Sequence, residues 1–134
     1  MTYRTEIGKL GEDKACEYLV DKKFKIIERN FRRKWGELDI VVLAPDKTLV
    51  FVEVKTLQNA LCGPAKGLRP EDQMTASKIK KFKRTASLYA GGHPELIDDN
   101  RGWRLDLVAI TIDGIQPLTK TRKSFVVRHY QNIV

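Results

Sequence analysis

The sequence predicts an α/β domain in which a mixed central β-sheet is flanked by helices, in the order α-β-β-β-α-β-β. Two segments have the apolar spacing of amphipathic helices, and five short segments are rich in β-branched and aromatic residues. Their alternation along the chain is typical of a sheet packed against helices. The length of 134 residues fits a single domain over 1–134, and an apolar content of 42% excludes a disordered chain.

Residues 4–22 are predicted to form the first helix, because apolar and small residues recur on one face. That face consists of Ile7, Gly11, Ala15, Tyr18 and Leu19, with Leu10 on its flank. Gly11 lowers helix stability in the middle of this segment. We therefore expect another backbone, or a ligand, to pass close to Gly11. Residues 24–31 follow as the first strand, with Ile26 and Ile27 at its centre.

A β-hairpin is predicted next, with strands over 37–43 and 48–55. The intervening Ala-Pro-Asp-Lys at 44–47 has the composition of a tight turn. Both strands contain runs that are apolar on both faces, at 40–43 and 49–52. Such runs are typical of strands covered on both sides.

The rest of the chain is predicted to hold one helix and two strands. Residues 56–74 contain glycines and prolines without periodicity and are predicted to be a loop. A second helix covers 75–90 and ends at Gly91-Gly92. The last two strands are predicted over 103–111 and 124–129.

The charge and cysteine content restrict the class of protein. Lys and Arg number 25 against 17 Asp and Glu, a net charge of +8, which favours a polyanionic partner. No apolar run approaches the roughly 18–20 residues of a membrane span, and residues 1–11 do not resemble a signal peptide. The cysteines, Cys16 and Cys62, lack zinc-ligand spacing with the two histidines. We expect reduced thiols, a cytoplasmic protein and no membrane partner.

The predicted hairpin brings charged residues together. Alternation places Glu37 and Asp39 on one face of their strand, and Glu53 and Lys55 on one face of the next. A turn centred on Asp46 would set Asp39 opposite Glu53 and Glu37 opposite Lys55. Two opposed carboxylates repel each other unless a cation, a proton or an amine lies between them. The alternative to a functional cluster is that Lys55 only pairs with Glu37 or Glu53 at a sheet edge.

A hard divalent cation such as Mg²⁺ suits such a carboxylate pair, because it binds carboxylate oxygens and keeps several waters. The ion can polarise a phosphate oxygen and help to ionise a bound water. Lys55 would then hold the attacking water or stabilise the charge that grows on the phosphate. The hairpin thus predicts phosphate chemistry at Asp39, Glu53 and Lys55.

The motifs GELDIV at 36–41 and FVEVK at 51–55 resemble the core of PD-(D/E)xK nucleases. More narrowly, the chain resembles the YraN-like family of predicted endonucleases, which is itself similar to archaeal Holliday-junction resolvases. The resemblance extends from about Gly8 to Ile110. It includes Gly8, Gly11 and Glu12 of the first helix, the RNFR stretch at 29–32, Thr75 and Lys78 of the second helix, and RLDLVAI at 104–110.

This resemblance implies a restriction-endonuclease-like fold with a metal site on the central hairpin. It implies that Asp39 and Glu53 bind Mg²⁺ or Mn²⁺, helped by the Val54 carbonyl. Lys55 would act on the water or the developing charge, and Glu12 would be a supporting acid or an outer metal contact. Resolvase-like enzymes often pair to cut two strands, which implies a homodimer.

Basic residues gather at 29–34, 78–84 and 120–123. From these groups we expect four residues to contact nucleic-acid phosphates without reading sequence: Arg32, Arg33, Lys34 and Lys78. The alternative for the second group is a solvated helix face. Trp35, beside the first group, is a packing residue or stacks on an unpaired base.

Three functions are compatible with the sequence. The leading hypothesis is a Mg²⁺- or Mn²⁺-dependent endonuclease that hydrolyses DNA phosphodiesters, at branched or flapped structures in repair or recombination. The second is a non-catalytic nucleic-acid-binding module with a nuclease-like fold, and the third is a basic structural partner of a larger assembly. Away from the cluster, we expect Asp106 to pair with Arg104 or a nearby donor, and His93 and His129 to have packing or surface roles.

Overall fold

The computed structural model describes residues 3–59, 74–113 and 124–134. Within them the elements follow the predicted order, which is confirmed. They are α1 (Tyr3–Asp21), β1 (Lys25–Arg33), β2 (Gly36–Leu43), β3 (Leu49–Asn59), α2 (Ala76–Gly92), a short 3-10 helix (Pro94–Leu96), β4 (Trp103–Asp113) and β5 (Ser124–Tyr130). None of the helices in these ranges is long and apolar enough to cross a membrane.

The five strands form one mixed sheet in the order β1-β2-β3-β4-β5. The β3–β4 pair is parallel, and the other neighbours are antiparallel. The predicted hairpin and its register are confirmed from the Leu43–Leu49 pair to the Ile40–Val52 pair. In its turn the Ala44 N–H donates to the Thr48 carbonyl at 2.8 Å. Strands β3 and β4 can pair in parallel because the chain between them includes α2, a connection long enough to return to the starting edge of the sheet.

The sheet has a hydrophobic core on each face. On one face α1 packs Ala15 and Leu19 against the sheet, and on the other α2 packs Phe82 and Ala86. The residues of β3 alternate between the two cores. Val50, Val52 and Val54 lie in the α1-side core, and Leu49 and Phe51 lie in the α2-side core. This two-sided burial explains why the central strands are apolar at nearly every position.

Gly11 allows α1 to lie close to the sheet. A Cβ atom at this position would overlap the Thr56 side chain of β3. The predicted close approach at Gly11 is therefore confirmed, but its partner is the Thr56 side chain and not the expected backbone or ligand. Gly36 has the same role on the other face, where a Cβ atom would overlap the Thr85 side chain of α2.

The alternation of β2 is interrupted at Asp39. Leu38 packs in the α2-side core, whereas Ile40, two residues later, packs in the α1-side core. On the neighbouring strand, Asn30 has a left-handed backbone with φ of 54°, a conformation that asparagine tolerates better than most residues. The prediction of a regular strand is therefore wrong, although Glu37 and Asp39 both line one cavity between the sheet and α2.

Strand β3 is longer than predicted. It continues to Asn59, because residues 56–59 pair in parallel with residues 110–113 of β4. The prediction of a loop that starts at residue 56 is therefore wrong for its first four positions. Cys62, the remaining loop residues and the basic group at 120–123 lie outside the described residues.

A buried carboxylate fastens the end of the chain to β4. Asp106 is fully buried and accepts hydrogen bonds from Arg104 Nε at 3.0 Å, His129 Nε2 at 2.7 Å and the Asn132 N–H at 3.0 Å. Burial alone would raise the pKa of Asp106, but these three partners lower it overall. The expected pairing with Arg104 is confirmed. His129 belongs to the same network, with the Tyr18 hydroxyl 3.2 Å from its other ring nitrogen.

Gly11→Ala is expected to lower the free energy of unfolding, measured in urea, by about 1–3 kcal/mol, because the added methyl group overlaps Thr56. Gly8→Ala, on the same helix, is the matched control, since a Cβ atom there meets nothing within 4 Å. The control should raise stability by about 0.5–1 kcal/mol through helix propensity. Equal effects of the two substitutions would contradict the close α1–β3 contact.

Candidate active site

The candidate site begins where β2 and β3 separate. Their backbone pairing stops at Ile40–Val52. Beyond it the Val54 N–H donates to Asp39 Oδ2 at 2.8 Å, so a carboxylate takes the place of a strand carbonyl. The N–H and C=O groups of one strand residue point to the same edge. The Val54 carbonyl is therefore directed to the same opening as the Asp39 carboxylate.

Three charged side chains meet at this opening. The Glu53 carboxyl group hydrogen bonds to Asp39, and Lys55 Nζ lies 3.2 Å from Glu53 Oε2. The side chains of Lys55 and Glu53 are 19% and 21% exposed, so the pair is half-buried. Glu37 does not face Lys55 as predicted, because the ladder ends before that position. It is exposed and forms an ion pair with Arg32 across β1 and β2 at 3.6 Å.

Asp39 and Glu53 change each other's pKa. Burial, together with the nearby charge of Asp39, raises the pKa of Glu53 to about 7, although Lys55 opposes the shift. The pKa of Asp39 is also raised by burial, against the opposing effects of the Val54 N–H and Lys55. The fold thus holds two carboxyl groups in contact that resist being ionised together.

Glu12 lies on α1, next to this pair but in a separate cavity, which it lines together with Lys9, Arg29 and Arg32. Burial and the charge of Asp39 raise its pKa. Its Oε1 atom is buried and has no hydrogen-bond partner within the described parts of the chain. Glu12 is thus close enough to act electrostatically on Asp39, but it does not line the cavity that contains Asp39 and Glu53.

Asp39 and Glu53 lie in a cavity of about 330 Å³ between the sheet and α2. Four basic residues also line it: Arg33 at the end of β1, Lys34 in the β1–β2 connection, and Lys78 and Lys81 of α2. Glu37 of β2 lines it too. Of the predicted phosphate contacts, Arg32 lies outside this cavity, beside Glu12. Lys81 was not among the predicted contacts, although a residue three positions after Lys78 lies on the same helix face.

The acidic pair suits a hard divalent cation. Mg²⁺ is often bound by one or two carboxylates and keeps waters and substrate oxygens as its other ligands. Asp39 and Glu53 supply two carboxylates, and Glu12 carries an unpartnered buried oxygen nearby. A cation would also relieve the repulsion that raises the pKa of Glu53. Within the described ranges, no group of three or more His, Cys, Asp or Glu side chains could hold a metal ion, so water and substrate would have to complete the shell.

The fold and the site define a mixed α/β domain with a buried acidic pair beneath basic residues. Comparison with known sequences assigns the chain to a family. Residues 11–110 match the profile described as "Uncharacterised protein family UPF0102", and the chain belongs to this family.

Relatives support the assignment across most of the chain. A UPF0102 protein of Campylobacter concisus is 37% identical over 109 residues, which cover 81% of this chain and 87% of the relative. A UPF0102 protein of Syntrophomonas wolfei is 38% identical over 108 residues, covering 81% and 86% of the two chains. One from Caldicellulosiruptor bescii is 35% identical over 115 residues, covering 86% and 90%.

Stability should depend on pH through Glu53. Because its folded pKa of about 7 exceeds its ordinary value of 4.5, the folded state binds the proton more tightly than the unfolded state. The contribution of the protonated group is fully present below pH 4.5 and is lost as the pH rises through 7. Urea unfolding of the wild type should therefore show a fall in stability across this window, and Glu53→Gln should reduce that fall by roughly 1–3 kcal/mol.

Glu17→Gln is the matched control, since Glu17 is an exposed acid on α1 and does not line the cavity that holds Glu53. It should leave the pH dependence of unfolding as in the wild type. If Glu53→Gln behaves in the same way as this control, the two carboxyl groups are not coupled by burial.

Proposed function

We propose that this protein is a metal-dependent endonuclease that hydrolyses DNA phosphodiester bonds. The proposal includes a restriction-endonuclease-like fold of the PD-(D/E)xK type. The observation that carries it is that Asp39 and Glu53 line a cavity whose other charged lining is mainly basic, with Lys55 Nζ 3.2 Å from Glu53 Oε2. Buried acids with raised pKa values at the floor of a cleft are typical of catalytic sites.

The acidic pair would hold Mg²⁺ or Mn²⁺, with the Val54 carbonyl directed to the same opening. When bound, the ion supplies Lewis acidity toward a phosphate oxygen and lowers the pKa of a bound water. Lys55 carries only donors, so its ammonium group can orient the oxygen of a water or stabilise negative charge on the phosphate. Its 3.2 Å contact with Glu53 keeps that ammonium group beside the acidic pair.

The basic residues around the cavity would bind the DNA backbone. Arg33, Lys34, Lys78 and Lys81 surround the acids and offset the repulsion that a phosphate would feel from them. Contacts of this kind position a substrate without reading its sequence. The resemblance to resolvases favours branched or flapped DNA as the substrate and a homodimer as the active assembly.

A non-catalytic nucleic-acid-binding module is the second candidate. It is favoured by the ion pair between Lys55 and Glu53, which occupies the lysine in the structure. Among the described residues, Asp39 and Glu53 have no third His, Cys, Asp or Glu ligand beside them that would complete a group able to hold a metal ion. This also favours the binding module. The two candidates predict the same binding and differ in whether a phosphodiester bond is cut.

Cleavage assays separate the two candidates. Plasmid, single strands, flaps and four-way junctions are incubated with Mg²⁺, Mn²⁺ or EDTA. Metal-dependent cutting is expected, and Asp39→Asn and Lys55→Met should each reduce it by about 10²–10³-fold or more, because each removes a charge that would act on the reacting phosphate. Asp39→Asn keeps an acceptor for the Val54 N–H, and Glu17→Gln, at an exposed acid of α1 outside the cavity, is the control that should retain activity. Binding of every substrate without cutting, unchanged in the variants, would contradict the enzyme and support the binding module.

Metal binding can be measured without activity. Mn²⁺ at 100 times its dissociation constant should stabilise the wild type by about 2.7 kcal/mol, which appears as a rise in Tm. The rise should be absent in Asp39→Asn and Glu53→Gln and present in Glu17→Gln, whose residue lies outside the cavity. An equal rise in all four proteins would place the metal elsewhere.

A further inference from the structure

Trp35 is an exposed aromatic residue at the edge of the candidate site. It lies in the connection between β1 and β2, and 40% of its surface is accessible. Trp103, the other tryptophan in the sequence, packs edge-on against buried Phe51, with ring centroids 5.5 Å apart. The two tryptophans thus differ in role, and packing against the core does not account for the exposed surface of Trp35.

The structure holds the Trp35 ring in place. Its ring centroid lies 5.6 Å from that of Phe31, at an interplanar angle of 58°. Phe31 is itself buried and packs edge-on against Tyr89, with 5.0 Å between ring centroids. A ring that is fixed on one side and open on the other loses little conformational entropy when it binds a flat partner.

Positive charge surrounds this ring. The Arg33 guanidinium lies 4.4 Å from the Phe31 ring centroid, against the same ring that Trp35 contacts. The residues on either side of Trp35, Lys34 and Gly36, both line the cavity that holds Asp39. Trp35 is four positions before Asp39 in the chain, which is at most about 13 Å of extended chain. Stacked nucleotides of one strand are about 3.4 Å apart, so this distance spans about four nucleotides or fewer.

We propose that Trp35 is a stacking platform for an unpaired base close to the phosphate that is cut. This inference rests on the proposed function and extends it to a substrate class: nucleic acids with unpaired nucleotides at or beside the cleavage point. Bases within an intact duplex are covered on both faces, whereas an unpaired base can stack on an aromatic side chain. The combination of a fixed indole with cations fits this ligand better than an apolar protein surface, which would favour fewer charges.

Binding is tested in EDTA, so that the result does not depend on catalysis. The probes are labelled oligothymidylate, an abasic strand of the same length and a blunt duplex, measured by fluorescence anisotropy. Trp35→Ala should weaken oligothymidylate binding about tenfold and leave the abasic strand and the duplex unaffected. Trp35→Phe should restore part of the affinity.

The salt dependence separates stacking from phosphate contacts. Lys81→Ala should reduce the slope of log affinity against log salt by about 0.7 for single strands. Trp35→Ala should weaken binding without changing that slope. In Trp103→Phe, Trp35 is the remaining tryptophan, and its fluorescence should be quenched by oligothymidylate but not by the abasic strand. The anisotropy comparison in the wild-type background does not depend on this second variant.

The outcomes distinguish the two proposals. If the wild type cuts DNA and Trp35→Ala binds oligothymidylate as tightly as the wild type, the stacking role is wrong and the nuclease proposal stands. If Trp35→Ala leaves this affinity unchanged but disrupts an oligomer, Trp35 is an interface residue and the stacking role is likewise wrong. If the wild type binds none of the probes and cuts no DNA, the proposed function itself is wrong.

Discussion

The hydrogen bond from the Val54 backbone to the Asp39 carboxylate holds the candidate site together. It forms where the β2–β3 ladder has ended, so a side chain keeps the two strand ends side by side while their backbones separate. The separation leaves space between the two strands, and the hydrogen bond holds the strand ends next to each other. A ladder that continued past Ile40–Val52 would have filled this space with backbone hydrogen bonds. Asp39 therefore both joins the two strand ends and lines the cavity.

The acidic floor and the basic rim of the cavity come from different parts of the architecture. The sheet supplies the acids, whose positions are set by a core buried on both faces. The rim comes from the β1–β2 connection and from α2, and these two meet where Gly36 lets Thr85 approach the strand. Opposite charges are thus kept apart by rigid elements instead of neutralising one another. Such a preorganised arrangement favours a ligand that carries both a cation and an anion, as a metal-bound phosphate does.

Local patterns in the sequence predicted most of the fold. The apolar runs of β2 and β3, with the turn at Pro45 and Asp46 between them, were sufficient for the hairpin and its register. The interruption at Asp39 was not predictable, because the change of core between Leu38 and Ile40 leaves no signal in the apolar pattern of β2. The extension of β3 to Asn59 arises from pairing with β4, which is distant in sequence. Residue spacing thus predicted which acids come together, whereas tertiary contacts decided which face and which cavity each one occupies.

The residue at position 39 also affects the stability of the folded chain. An asparagine there could accept the same hydrogen bond from Val54 without repelling Glu53. Because burial raises the pKa of Asp39, its ionised form costs folding free energy that a neutral isostere would not. Shape alone does not require that loss, because the hairpin would keep its geometry with the amide. Under the proposed function, position 39 would be a site where stability is traded for activity, because the charge that costs folding free energy is the one that would bind the metal.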